Sequence, residues 1–532
     1  MSTSPREAWS PRKAVVTAAG GLVAAQHAGA AEVGAHILEG GGNAVDAALA
    51  TSLALCVLEP WMSGLGGGGF MVIAKPGGAP EAIDFGLVAP SRLDPTAYPL
   101  AAGRDDDLFG WPAVLEQRNL LGPLSIAVPG QAAGLGMAHR RHGSMPWPEL
   151  CAPAIALARR GLPVTWYTML RIADGAGDLN RFDAAREVYL PGSLPPVPNG
   201  DGTPAHLPLG RLPETLERLA EAGPQDLLTG ELAHLLVRDV EAAGGGLALD
   251  DLAGYRARAG EPLLTDYAGA TFATPGGLTA GPTLAHALAL LGGKVPRGEP
   301  GPAAYAAWAE ALLVAYGARL ATMGDVEDRQ DPACTTHLCV VDRAGTMVSL
   351  TQTLLSVFGS KIVSPSTGIL LNNGIMWFDP RPGGPNAIAP GKRPLSNMCP
   401  VIALQGGRPW FALGASGGRR ILPAVLQIGS MLAAGGLDLE SAFHTPRIDV
   451  SGGPEVTADR RLPAEVRAHL RARFSVREVE QLVLPNLFAC PTAVLRHPGT
   501  ARASGMTDPM QPVAGIAAAG QPSKERGLAE AG

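Results

Sequence analysis

Charge is what this sequence is shortest of. Asp, Glu, Lys and Arg make up only 17% of the chain, against 46% apolar residues. A chain with that balance must bury much of itself, which excludes a disordered or highly solvated protein. The formal charge is −6 and no block of Lys and Arg interrupts it, so nucleic acid is not an expected partner. Cysteine is scarce too. Cys56, Cys151, Cys334, Cys339, Cys399 and Cys490 are scattered, without a C-x-x-C pair or metal-site spacing to histidine. They read as reduced, mostly buried thiols of a cytoplasmic protein. Long apolar runs are missing as well. The longest, around Ala47 to Val57, ends at Glu59-Pro60, well short of the roughly 20 residues of a membrane span. Met1 to Lys13 lacks the apolar segment of a signal peptide, so the expected compartment is the cytoplasm and no membrane partner is expected.

Glycine and proline are abundant, 69 and 48 residues, and spread without period, which fits many tight turns. Leu22 to Glu39 reads as a helix of small residues stopped by Gly40-Gly41-Gly42. Asn43 can cap a second helix running to Leu58, with Asp46 in its first turn. Phe70 to Ala74 reads as a buried strand and 99–122 as irregular loop. Helical patterns follow near 130–143, 147–160, 211–222, 230–243 and 302–322. From Thr335 the texture changes. His337 to Val341 and Met347 to Leu350 are strands around the turn Asp342 to Thr346, a hairpin that returns Thr351 to Thr353 beside Thr335 within a residue or two. Phe411 to Gly418 followed by Ile421 to Met431 is strand, glycine turn and helix. Helices dominate before residue 334 and strands after it, which argues for a mixed layered fold. The tail from about Gly520 is polar and expected to be loose.

Three motifs invite chemistry. Gly64-Leu-Gly66-Gly-Gly-Gly69 matches the dinucleotide pattern, but the order here is helix, loop, strand, with no helix N-terminus to receive a pyrophosphate. A tight structural turn is the better reading. Gly414-Ala-Ser416-Gly-Gly418 matches a nucleophile elbow and lies between strand and helix, with His444, His469 and His497 downstream. The strand–helix alternation that should precede such an elbow is missing. Its glycines can instead act as backbone donors for an oxyanion at a helix N-terminus. Cys334-Thr335-Thr336-His337 opens the hairpin, and threonines are ordinary there. If the bond before Thr335 is cut, however, that residue gains an α-amine of pKa about 7.7–8.0, able to serve as base for its own hydroxyl. The residues alone leave both readings open. His139 and His142 lie on a basic helix without an evident carboxylate and read as surface residues.

Taken together, the sequence resembles the γ-glutamyltransferase family from about Val15 to Asp508. The likeness rests on Gly41 to Ala47, Ser63 to Phe70, Val128-Pro-Gly130, Ala154 to Gly161, Thr335-Thr-His337, Val340-Val-Asp342, Gly368 to Asn373, Lys392 to Ser396 and Gly417-Gly418. The resemblance implies an α+β fold, the four-layer αββα sandwich of N-terminal nucleophile hydrolases. It implies a precursor that cuts itself between Cys334 and Thr335 into a large part, 1–334, and a small part, 335–532, both building one core. A dimer of such heterodimers is one assembly this allows. By motif Thr335 resembles the nucleophile, Thr353 the second threonine bonded to it, and Gly417 with Gly418 the oxyanion hole. No metal or organic cofactor is implied, and the partner is a small amide substrate.

The departures from the family pattern bear on that substrate. Members that hold a γ-glutamyl group clamp its α-carboxylate with an arginine after Asp-Phe, where this chain has Gly86. The acidic residue that holds the α-amine is replaced by Trp377. The asparagine two residues past the second threonine is Leu355, and of two paired serines only Ser396 remains, followed by Asn397. Losing a bidentate arginine–carboxylate bond in a water-excluding site costs about 2–5 kcal/mol. Arg92, Arg393 or Arg420 could replace the clamp. The favoured expectation is instead an amidohydrolase whose acyl group is not γ-glutamyl, similar to relatives that hydrolyse oxamate or act as cephalosporin acylases. A glutathione hydrolase or γ-glutamyltransferase is the alternative.

Overall fold

A computed structural model describes residues 11–104, 111–201, 203–323, 334–451, 453–484 and 486–520. The first ten residues of the signal-peptide reading, and the polar tail beyond Gly520, lie outside that set. Two seven-stranded sheets face each other. The first runs in the order Gly515–Ala518, Gly21–Ala25, Cys334–Asp342, Met347–Leu355, Gly68–Ala74, Glu81–Phe85, Arg258–Gly260. The second runs Val16–Ala18, Ala503–Thr507, Cys490–Arg496, Arg408–Ser416, Val401–Gln405, Ala270–Thr274, Leu263–Tyr267. Helices Ala28–Glu39 and Ala44–Leu58 cover the outer face of the first sheet, and Gly281–Leu291, Pro302–Met323 and Ile421–Ser430 that of the second. This is the four-layer αββα sandwich, an α+β fold.

Local chemistry accounts for much of it. Asn43 Oδ1 accepts from Val45 N and Asp46 N at 2.8 and 3.1 Å, while Asp46 Oδ2 accepts from Asn43 N at 2.9 Å. That reciprocal cap starts the helix Ala44–Leu58, every residue of which is buried. Its apolar residues therefore show no amphipathic stripe. The expected helix from Leu22 is corrected: Gly21–Ala25 is a strand and the helix begins at Ala28. Leu22 to Ala25 pair with Val341 to Leu338 on one side and with Ala518 to Gly515 on the other. A short apolar run buried on both faces carries no period that separates strand from helix, so only the neighbours decide. Helices do outweigh strands before residue 334 and strands outweigh helices after it, yet seven of the fourteen strands of the two sheets precede residue 334. The strands Leu263–Tyr267 and Ala270–Thr274, a hairpin at the edge of the second sheet, are likewise not expected from the sequence. His142 is corrected too, since its Nε2 lies 2.5 Å from Glu81 Oε2, a carboxylate distant in sequence.

The two sheets approach closely where the hairpin begins. His337 lies wholly buried between them, its Nδ1 2.8 Å from Thr351 Oγ1 and its Nε2 3.1 Å from Cys339 Sγ. A methyl group at Gly414, on the facing sheet, would stand 2.2 Å from His337 Cε1. Gly414→Ala should therefore push the sheets apart and cost about 1–3 kcal/mol of stability. Gly177→Ala on helix Trp166–Leu179, where a methyl meets nothing within 4 Å, should stabilise by up to about 1 kcal/mol. Urea unfolding of the two variants beside the wild type measures both; equal losses would remove the close-packing argument.

Candidate active site

The hairpin delivers the two threonines to one end of the sandwich. Pairing is regular from Val341↔Met347 to Thr336↔Gln352 and then jumps to Cys334↔Leu355. Two residues, Thr353 and Leu354, thus oppose the single Thr335, and the bulge ends on Leu355 at φ +91°. A leucine in that left-handed region is strained, and such strain persists only where surroundings enforce it. Here Thr353 Oγ1 accepts from Leu355 N at 2.8 Å. The Thr335 and Thr353 hydroxyl oxygens stand 3.4 Å apart, and both residues are buried. That is long for a hydroxyl pair, whose usual separation is about 2.7–2.8 Å, but within reach of one.

The glycine-rich loop supports the hairpin from beside it. A methyl on Gly67 would lie 2.2 Å from Thr353 O, and Gly68 pairs with Thr353 in the sheet. The loop is thus a close-packing element, as its order in the sequence predicts. Beneath the hairpin, Gln352 Oε1 accepts from Gln131 Nε2 at 2.6 Å, and Gln352 Nε2 donates to Ser63 Oγ at 2.9 Å. Asn372 and Asn373 are staples. Asn372 bonds Gly66, Ala127 and Gly374, and Asn373 bonds Leu120 and Ser356.

Across the sandwich, the strand Arg408–Ser416 runs towards the same end. Ser349 Oγ donates to Leu413 O at 3.1 Å and Gly414 faces His337, so the next residues, Ser416 to Gly418, advance towards the start of the Thr335 strand. Gly417 has φ +128° and Gly418 φ +56°, values that L side chains rarely adopt, and a methyl at Gly417 would also lie 2.9 Å from Ala489 Cα. A 3-10 turn, Gly418–Arg420, leads directly into the helix Ile421–Ser430. Backbone N–H groups in that position suit a developing oxyanion. Ser416 is buried, and the downstream histidines bond elsewhere: His444 to Glu440 O and Lys13 N, His497 to Ser504 Oγ. His337 serves neither threonine, and burial pushes its pKa down to about 3, so it stays neutral.

The four substituted positions fall around one apolar cluster. Leu355 and Trp377 pack in it with Phe70, Leu87, Ile375 and Met398. Asn386 ties two of its edges, donating to Trp377 O at 2.7 Å and accepting from Leu395 N at 3.1 Å. Ser396 and Asn397 follow, buried, with Ser396 Oγ accepting from Met398 N. Behind them lies a residue the motifs did not suggest, Arg319, a buried arginine in the alanine-rich helix Pro302–Met323. Its guanidinium donates to Ser396 O at 2.6 Å and Asn397 Oδ1 at 3.3 Å, and burial lowers its pKa to about 10. The only sequence signal was a single arginine among alanines. Trp377 Nε1 and Asn397 Nδ2 are buried donors without an acceptor among the described residues.

Gly86 borders this region from the other sheet edge. Of the arginines considered as replacement clamps, Arg393 comes to it, with Nη1 3.0 Å from Asp84 Oδ1 and 3.3 Å from Gly86 O. Asp84 and Gly86 thus already hold that charge. Arg92 meets Glu241 at the surface, and Arg420 lines a small cleft with Ser416 and Gly417.

Such a fold, with threonines at the head of a central strand and a glycine turn facing them, defines the N-terminal nucleophile hydrolase class. The γ-glutamyltranspeptidase family model matches residues 30–333 and 326–518. The chain belongs to the γ-glutamyltranspeptidase family and is an enzyme of it. It is 34% identical over 492 residues to the acylase ACY 1 proenzyme of Pseudomonas sp. strain SE83, covering 85% of this chain and 86% of that one. It is 32% identical over 488 residues to the glutathione hydrolase proenzyme of Escherichia coli K12, covering 81% of each. Among solved structures, cephalosporin acylase from Bacillus halodurans superposes with a TM-score of 0.83 over 98% of this chain and 100% of that one, at 24% identity, a likeness of fold. No helix of the described residues is long and apolar enough to cross a membrane.

Ser416 and the glycines beside it are separable by mutation. On the oxyanion reading, which uses only backbone N–H groups, Ser416→Ala should lower turnover less than about tenfold. Gly417→Ala should lower it by about 10²–10³-fold, the usual cost of a disturbed oxyanion donor. Steady-state kcat of both variants decides; loss of all turnover in Ser416→Ala would make the serine the nucleophile.

Proposed function

We propose that the chain cuts itself between Cys334 and Thr335, and that Thr335 then attacks amides whose acyl part is small and not γ-glutamyl. Thr335 Oγ forms the acyl-enzyme, Thr353 holds that hydroxyl, and Gly417 and Gly418 receive the oxyanion. The freed α-amine acts as base for its own Oγ, so no histidine is needed. The observation that carries the substrate reading is the cluster around Trp377 and Leu355. It offers the ammonium of an amino-acid head neither a carboxylate nor water. Leaving such a charge buried and unpaired costs several kcal/mol, and about 3 kcal/mol already lowers efficiency about a hundredfold.

What the cluster and its edge do offer is N–H donors on Trp377 and Asn397 without an acceptor among the described residues, and the Arg319 charge behind Ser396 and Asn397. These suit an acyl group rich in acceptor oxygens, such as that of oxamate. The likeness to an acylase proenzyme fits the same reading, and the glutathione hydrolase relatives name the alternative. Grafting the missing arginine is resisted by the fold, since a Cβ on Gly86 would already stand 3.0 Å from Phe70 Cζ.

Purified protein should run as two fragments, and N-terminal sequencing of the smaller should begin Thr-Thr-His, while Thr335→Ala stays one chain. A fully active uncut wild type would overturn the mechanism. For the processed enzyme, kcat/KM on oxamate and other simple amides should exceed that on glutathione or a γ-glutamyl anilide by about a hundredfold or more. Glutathione turnover at about 10⁴ M⁻¹s⁻¹ or above would return the protein to the alternative.

A further inference from the structure

One buried acid beside the nucleophile has no part in turnover as described. Glu59 follows the last residue of the helix Ala44–Leu58, where its N–H bonds Leu55 O. It is wholly buried, and its Oε2 accepts from Thr336 Oγ1 at 2.9 Å, one residue from the bond to be cut. Side chains alternate along a strand, so Thr336 points to the helix layer while Thr335 points to Thr353, and the Thr335 nitrogen lies in the sheet between them. The other carboxyl oxygen, Oε1, has no hydrogen-bond partner among the described residues. A buried carboxyl with an idle oxygen is costly as an anion and tolerable as an acid.

Resting on the self-cleavage reading, we propose that Glu59 is the proton donor to the Thr335 nitrogen when the precursor cuts itself. Thr335 Oγ attacks the carbonyl carbon of residue 334, the Oγ–C bond forms and the C–N bond breaks. The nitrogen already carries one hydrogen as an amide; it takes a second from Oγ and a third from Glu59. The products are an ester, an ammonium on Thr335 and the Glu59 carboxylate, with no net charge created. Water then hydrolyses the ester, leaving a carboxyl end on residue 334 and restoring the hydroxyl.

The surroundings keep the acid protonated, and so uncharged, at neutral pH. Burial raises its pKa to about 8, while Thr336 and the Arg171 charge pull the other way. The further titratable groups around it are Tyr167 on the helix that carries Arg171, Cys490 beyond Tyr167, and Cys56 one turn back, all buried with raised pKa values and neutral. A donor of this kind works below its pKa and fails above it.

Fresh precursor from cold cell-free translation, shifted to buffers of pH 6–10, gives the cleavage rate from the appearance of the two fragments. In the wild type the rate should fall above about pH 8. Glu59→Gln, which keeps an acceptor for Thr336 and so any merely structural bond, should slow cleavage by about 100-fold or more and lack that limb. Wild-type cleavage that rises steadily through pH 9, or Glu59→Gln at the wild-type rate, overturns the role of Glu59 and leaves the Thr335 reading intact. A chain that never cuts overturns both. The wild-type profile needs no variant and stands even if Glu59→Gln folds poorly.

Discussion

The ladder of hydrogen bonds between Cys334–Asp342 and Met347–Leu355 fixes where every reactive group stands. Six regular pairs hold the hairpin in register, and the bulge opposite Thr335 then turns Thr353 to meet it. Because the period of a strand is two, a slip of one residue in Cys334–Asp342 would send the Thr335 hydroxyl to the helix layer and turn Thr336 to the side of Thr353. His337, wedged against Gly414, locks that register to the facing sheet, and through it to the glycine turn. The glycine turn and the two threonines thus come from two sheets, with the neutral His337 ring wedged between them.

The two faces of that strand carry different chemistry. Towards the facing sheet lie Thr335, His337, Thr351 and Thr353, all neutral. Towards the helices lie Thr336 and Gln352, bonded to Glu59, Gln131 and Ser63. The segment that carries Leu355 then feeds the apolar cluster with Trp377. Gly86, Leu355, Trp377 and Asn397 lie in or beside that cluster.

The order of helices, the cap at Asn43, the hairpin and the strand–turn–helix at Ser416 were all legible in the sequence, since each rests on contacts within about twenty residues. The likeness to the family rested on short motifs that the structure shows to be contact points: Ser63 and the glycine loop under the hairpin, and Asn372-Asn373 tying three segments. The strand at Leu22 was missed because its pairing partners lie more than 300 residues away.

What the sequence by itself determined, then, is the set of local devices, while the grouping of Thr335, Thr353, Gly417 and Gly418 came from likeness to the family's motifs. The same likeness shows that Gly86, Leu355, Trp377 and Asn397 depart from the family pattern. Only the tertiary structure decided what stands around them. Arg319 behind Ser396, Glu59 bonded to Thr336, Arg393 at Gly86 and the neutrality of His337 leave no mark in spacing or period. Each depends on burial and on partners far along the chain, and burial, which sets whether a charge is tolerated or a proton held, is a property of the packed molecule alone.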